Sequence, residues 1–382
     1  MKKVLLIMPL STLNWGEKNL GGVDSVCQIL VRQLTMQERL YNYRILAFDP
    51  LNHHTYTGDV IALSENVEVV MCPLRETRFG LPLPSLLSCW LRIQEQLRAF
   101  QPDLVHSHLN SWMLGIGRKT RNILTLHSYR KIGRKPVSRL NDFLYEKIIP
   151  RVSDISVNTY TCVGEELYQA LRPETSKPIR VIGNPVDPEY FAEHSTKLPF
   201  ANTGIKLVTC ALISRAKRIE RAIMLLRELK LHHHSATLHI IGPNVDPTYY
   251  EELQQLVKEN GLEQDVLFLG KLNQREIAQQ FQQADVGVFT SAQETFGLAP
   301  LEMLAVGLPL ITTPVGILGE RQAEFSKLGV VFMQEGDEGE IAFSINKIKV
   351  VDTQAVRSYL REQFAVENVI EHYQNLYQEV LS

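Results

Sequence analysis

Two glutamates eight positions apart, Glu294 and Glu302, stand in the stretch ETFGLAPLEMLAVGLPLITTPVG, which runs from Glu294 to Gly316. A glutamate carboxylate can accept two hydroxyl hydrogen bonds, one through each oxygen. Between the pair, Phe296, Gly297 and Leu298 open a helix, where backbone N–H groups are placed to bind an anion. In LVTCALISRAKRIERAI, Lys217 follows a strand and opens the next helix. Gly21-Gly22 precedes another helix, and a residue without a Cβ lets a ligand approach the backbone closely. Three histidines sit at strand ends, His106 and His108 in DLVHSHL and His127 in ILTLHS. Metal ligation is one chemistry for such a group. No cysteine or carboxylate accompanies them at ligand spacing, so no metal site is expected. His106 reads as a core histidine satisfied by backbone.

These residues need strand ends and helix starts to hold them, and the chain supplies both. KKVLLIMPL is a wholly apolar run, as expected of a parallel strand covered by helices on both faces. RILAFD, VEVVMC, LVHSH, NILTLH and ISVNTY continue the series in the first half. IKLVTCAL, ATLHIIG, DVLFLG, DVGVFT and LPLITT form a second series beginning near Gly204, with a helix from about Arg218 to Lys230. This βα rhythm predicts two doubly wound α/β halves. Residues 1–186 are read as the N-terminal Rossmann-like domain, 187–203 as a turn-rich linker and 204–363 as the C-terminal domain. A helical segment from Thr353 to Leu381 carries Tyr359, Phe364, Tyr373 and Tyr377, which predict packing against a domain; its last part, 364–382, is expected to return to the first half. Two such halves imply a cleft, with ligands beyond the C-terminal ends of the strands.

The Glu294–Gly316 stretch resembles the signature of family 4 retaining glycosyltransferases. Gly297, Leu301, Ala305, Gly307, Pro309 and Thr313 sit where that family keeps similar residues. The resemblance implies the GT-B fold, with two Rossmann-like α/β/α domains facing across a cleft, and transfer of a sugar from a nucleotide-diphosphate sugar to an acceptor hydroxyl. It gives Glu294 to the donor sugar's hydroxyls and Glu302 to the nucleotide's ribose. Phe296, Gly297 and Leu298 fall to the donor phosphates and sugar, Lys217 to the pyrophosphate, Gly21 and Gly22 to a phosphate approach, and Gly270 to the base pocket. His127 matches the active-site histidine beside the donor sugar. His127, Glu294 and Lys217 are thus the expected catalytic residues. Asn184-Pro185-Val186-Asp187 resembles the family's Asn-Gly-Val-Asp segment, although a structural turn capped by Asn and Asp explains it equally well. The chain departs from the pattern in three places: Thr295 and Pro185 replace glycines, and Ala211-Leu212 replaces a glycine–arginine pair. Leu212 cannot supply a guanidinium, which leaves Arg215 and Arg218 as candidate substitutes at the phosphates. Family members generally need no metal, and the chain has no DxD pair to hold one, so no cofactor beyond the nucleotide sugar is expected.

Composition sets the outer limits. The 382 residues are 45% hydrophobic and 21% charged, with 40 Lys+Arg against 42 Asp+Glu. That balance fits a two-domain globular enzyme and gives no steering field for nucleic acid. Five cysteines without a CxxC pair favour a reduced, cytoplasmic setting. The opening MKKVLLIMPL reads as a buried strand rather than a signal peptide. Between Asp103 and Asp142 there is no acidic residue, and Arg130, Lys131, Arg134 and Lys135 stand just after His127. This basic rim, with the apolar run Phe79–Leu91, is expected to receive an anionic or lipid-linked glycan acceptor at the inner face of a membrane; the competing reading is a solvated loop beside an ordinary buried helix start. Two other functions compete: a nucleotide-sugar epimerase or hydrolase of the same fold, and a non-catalytic carbohydrate- or nucleotide-binding subunit of a glycan assembly complex.

Overall fold

The computed structural model describes residues 1–17, 21–78, 80–129, 138–192, 204–232, 235–345 and 353–382. The chain divides into two compact units, Met1–Pro185 with Val366–Ser382, and Val186–Ala365.

In the first unit the strands are β1 (Lys3–Pro9), β2 (Asn42–Asp49), β3 (Ile61–Ala62), β4 (Val67–Pro73), a two-stranded hairpin β5 (Thr77–Arg78) and β6 (Leu81–Pro82), then β7 (Leu104–Ser107), β8 (Asn122–Leu126), β9 (Thr159–Cys162) and β10 (Ile179–Val181). Eight of them form one sheet in the order β10-β9-β8-β7-β1-β2-β4-β3. Every pairing is parallel except the β3 edge. Val4 to Met8 are almost fully buried, which explains the unbroken apolar run of β1. The helix Val366–Leu381 closes this unit, with Tyr373 and Tyr377 buried in its core.

In the second unit β11 (Ile205–Cys210), β12 (Ala236–Ile241), β13 (Val266–Gly270), β14 (Val286–Phe289), β15 (Leu310–Thr312) and β16 (Val331–Phe332) form a wholly parallel sheet in the order β13-β12-β11-β14-β15-β16. The helix Ile219–Leu231 buries Ile219, Ala222, Ile223, Leu226 and Leu229. Their spacing of three and four puts one apolar stripe on the sheet.

Several expectations shift. The C-terminal helical segment is two helices, Thr353–Phe364 and Val366–Leu381. Ala365 leaves the helix to bridge Val186, and Val186 N–H donates to Phe364 O at 2.9 Å. The strand read in ISVNTY begins only at Thr159, because Ile155 terminates the helix Ile149–Asp154 and is exposed. Asp187–Phe191, read as linker, is ordered within the second unit: Asp187 caps the turn Pro188–Phe191, where Tyr190 and Phe191 are buried.

Candidate functional site

An open parallel sheet binds ligands where its strand order reverses, beyond the carboxyl ends of the strands. In the second unit that point lies between β11 and β14. Lys217 is in the loop after β11 and Glu294 in the loop after β14, so topology alone makes them neighbours.

The two loops are stitched together. Thr290 Oγ1 donates to Lys217 O at 3.0 Å and lies 2.8 Å from Arg218 O. Ser291 Oγ donates to Ala216 O at 3.2 Å, and Ala292 N–H donates to the same oxygen at 2.8 Å. Thr313 Oγ1, just after β15, donates to Ser291 O at 2.6 Å. The lysine ammonium is thereby delivered to Glu294, with which it forms an ion pair. Both side chains remain partly open to solvent, at 21% and 15% exposure. Arg218 turns the chain from the Arg215–Lys217 turn into the helix, with a left-handed φ of 47°.

Glycines set the rest of this geometry. Gly297 caps the helix Leu298–Val306 at φ 90°, with no side chain capping its first N–H groups. Gly316 has φ 55°, and a Cβ there would lie 2.3 Å from Phe296 O. That contact is what lets Ile317 N–H donate to Phe296 O at 2.9 Å, pinning the Glu294–Gly297 loop. Gly242, after β12, answers a similar demand, because a Cβ there would meet Ala211 O at 1.9 Å. Gly270 ends β13 at φ 68° with open space around its Cβ direction.

Glu302 lies on the helix Leu298–Val306, half-buried. Burial, reinforced by the Asp187 carboxylate, pushes its carboxyl up to about 8. Asp187 accepts from Gln274 Nε2 at 2.6 Å and from Glu189 N–H at 2.8 Å. The Asn-Pro-Val-Asp segment is thus both a capped turn and part of the Glu302 environment. The arginines near Lys217 are both in ion pairs. Arg215 pairs with Glu252, and Arg218 pairs with Glu335 at 2.7 Å. Leu212 is half-buried beside them and offers no charge.

The first unit holds Gly21, Gly22 and the histidines. Gly21, φ 121°, caps the helix Gly22–Leu34. The buried Asp24 in its first turn accepts from Ser11 N–H at 2.8 Å and Ser11 Oγ at 2.6 Å, fixing the chain after β1. His106, His108 and His127 stack in a row, with ring centroids 4.6 and 5.3 Å apart. His106 is a core residue, but its partners are hydroxyls rather than backbone: Tyr377 Oη at 2.7 Å and Thr125 Oγ1 at 2.6 Å. His108 Nδ1 and His127 Nε2 share one hydrogen bond at 3.0 Å. Burial lowers all three, His106 to about 3, His127 to about 4 and His108 well below its ordinary value, so the imidazoles are neutral. Among the described residues, His127 Nδ1 is buried without a hydrogen-bond partner, a position that costs free energy until a ligand hydroxyl or other polar group reaches it. Among the described residues, no group of three or more His, Cys, Asp or Glu could hold a metal ion. Arg130, Lys131, Arg134 and Lys135 lie outside the described residues.

Two family models match the chain. Residues 191–359 match Glycosyl transferases group 1, and residues 20–190 match Glycosyltransferase Family 4. Among curated proteins, N-acetyl-alpha-D-glucosaminyl L-malate synthase of Bacillus anthracis is 26% identical over 303 residues, 73% of each chain. Sucrose-phosphate synthase of Thermosynechococcus elongatus superposes with a TM-score of 0.75 at 15% identity, over 100% of this chain and 99% of that one. HepE of Anabaena, crystallised with UDP-glucose, superposes with a TM-score of 0.69 at 15% identity, over 99% of this chain and 100% of that one. The fold is that of the GT-B glycosyltransferases.

Proposed function

From the premise that this chain belongs to the group 1 glycosyl transferases and is a glycosyltransferase, we propose that it moves a sugar from a nucleotide-diphosphate sugar to an acceptor hydroxyl with retention of anomeric configuration. The acceptor class is a glycan, a lipid-linked glycan or a small hydroxylated molecule. The observation that carries the reading is the Lys217–Glu294 pair at the strand-order reversal of the second unit.

In this reading the Lys217 ammonium and the N–H groups at Phe296, Gly297 and Leu298 offset the charge that grows on the departing diphosphate. An ammonium has three donors, so Lys217 can serve a phosphate and Glu294 together. Glu294 orients the donor sugar through its hydroxyls, Glu302 takes the ribose, and Gly270 leaves room for the base. His127, neutral, offers Nδ1 to a sugar hydroxyl. The acceptor attacks from the face the diphosphate leaves, and a phosphate oxygen takes its proton. No metal enters this scheme. The bound UDP-glucose in HepE supports the choice of donor class.

Product analysis with a nucleotide-sugar panel tests the proposal, with donor alone and with hydroxylated acceptors. Acceptor-dependent transfer that is lost in Glu294→Ala is expected. Turnover of donor alone to an epimer or free sugar at an equal rate would favour the epimerase or hydrolase. Donor binding with no turnover by any pair would favour a non-catalytic subunit.

A further inference from the structure

The helical run from Arg139 to Asp154 in the first unit carries an apolar stripe exposed to solvent. It joins Arg139–Phe143, a wide π-type turn Leu144–Ile148 and Ile149–Asp154. Leu140, Phe143, Leu144, Ile148, Val152 and Ile155 are all exposed, Leu140 at 70% and Phe143 at 55%. Their spacings of one, three and four trace one side of a helix. Neither of the first two segments buries a single residue. A helix held by packing alone would present its apolar side inward.

A second exposed set lies on neighbouring elements. Leu86, Leu87 and Trp90 stand at the start of the helix Ser85–Phe100. The 3-10 helix Asn110–Gly115 ties this helix to the first run. Gln94 Nε2 donates to Gly115 O at 2.8 Å, and Ser153 Oγ donates to Asn110 O at 2.9 Å. Leu109 and Leu114, on the connecting piece, are exposed as well. Scattered apolar residues are ordinary, but linked groups on adjoining helices mark an interaction surface.

Charge selects the occupant. Among the described residues from Arg118 to Arg151, six are Lys or Arg against Asp142 and Glu146, in a protein of net charge -2. On the helical run Lys147 and Arg151, four and eight residues after Phe143, are exposed in line with the apolar stripe, whereas Asp142 and Glu146 are half-buried and share their row with Arg139. An apolar stripe flanked by lysine and arginine suits the boundary of an anionic bilayer, where acyl chains take the apolar residues and lipid phosphates the cations. No helix among the described residues is long and apolar enough to cross a membrane. We propose that this surface, centred on Phe143, Leu144 and Ile148, docks the protein on an anionic lipid bilayer lying in the headgroup plane.

Vesicle flotation tests it with phosphatidylglycerol-containing and purely phosphatidylcholine vesicles at low and high salt. The full chain is expected to float with the anionic vesicles at low salt, at least ten-fold more than with the zwitterionic ones. Salt should release most of it. Lys147→Glu with Arg151→Glu should lower anionic partitioning at least ten-fold, and Phe143→Ser with Ile148→Ser should lower it at both salt levels, with circular dichroism unchanged. These side chains are exposed, and circular dichroism reads whether each variant keeps the fold; the wild-type salt series stands without any variant. Absence of flotation at low salt would overturn the proposal. So would equal binding to both vesicle types, unchanged partitioning in the variants, or a dimer in sedimentation that Ile148→Ser abolishes.

Discussion

Glu302→Gln separates the cost of the Glu302 carboxylate from its use. The carboxyl stands at about 8, against an ordinary value of 4.5, because burial and Asp187 disfavour its charge. A folded value raised in this way stabilises the fold fully below pH 4.5, and that contribution drains away as pH rises toward 8. The slope for one proton is about 1.4 kcal/mol per pH unit. The full shift would amount to ~5 kcal/mol, and solvent screening of a half-buried group reduces this to roughly 1–3 kcal/mol. Urea unfolding of wild type and Glu302→Gln at pH 5.5 and 8.0 should therefore show the variant gaining on the wild type by about that amount at the higher pH. Binding reverses the sign. A ribose diol donating two hydrogen bonds favours the ionised carboxylate, so a nucleotide should release close to one proton at pH 6.5. Its affinity should rise by up to about ten-fold per pH unit below 8. Calorimetry in two buffers of different ionisation enthalpy reads the proton directly, and Glu302→Gln should release none. A stability difference independent of pH, together with binding that moves no proton, would refute this account of Glu302.

Replacing Lys217 by Ala should lower turnover about 10²–10³-fold, the scale of losing one preorganised transition-state donor, with the fold intact by circular dichroism. Gly316→Ala forces a Cβ against Phe296 O and should cost about 1–3 kcal/mol in urea unfolding, with donor affinity falling alongside. The three neutral histidines must charge when the first unit unfolds in acid. With folded values depressed below 6.5, their contribution is complete above pH 6.5 and is lost as pH falls toward 4. His127 alone accounts for on the order of 3 kcal/mol, measurable as the slope of unfolding free energy between pH 6.5 and 4.5. Turnover should show no titration from His127 between pH 5.5 and 8.

The long parallel strands were legible because helices cover both of their faces, which forces runs such as Val4–Met8 to be apolar throughout. The edge pieces Ile61–Ala62, Ile179–Val181 and Val331–Phe332 were not, since two or three residues establish no pattern. The apolar residues of ISVNTY misled because a helix end with an exposed Ile155 looks locally like a strand start. Around the site, residue types were readable and partnerships were not. Nothing in sequence spacing joins Lys217 to Glu294, 77 positions apart; the β11–β14 reversal does. Thr290 and Ser291 carry no signal in the sequence, because hydroxyls that hold a backbone look like any polar loop residue. The influence of Asp187 on Glu302 crosses more than a hundred positions. That His127 Nδ1 finds no partner among the described residues is a property of packing that no motif records.

The strand-order reversal of the second unit is the proposed grip on a sugar diphosphate. Thermal unfolding of wild type and Glu294→Ala with Glu302→Gln, across UDP-, GDP- and ADP-sugars, addresses it directly. A ligand at a hundred times its dissociation constant stabilises the native state by about 2.7 kcal/mol. One nucleotide class should raise the wild-type midpoint in a concentration-dependent way, and the double variant should lose that response. Saturating levels of every donor leaving the wild type unmoved, or stabilising the double variant equally, would contradict it.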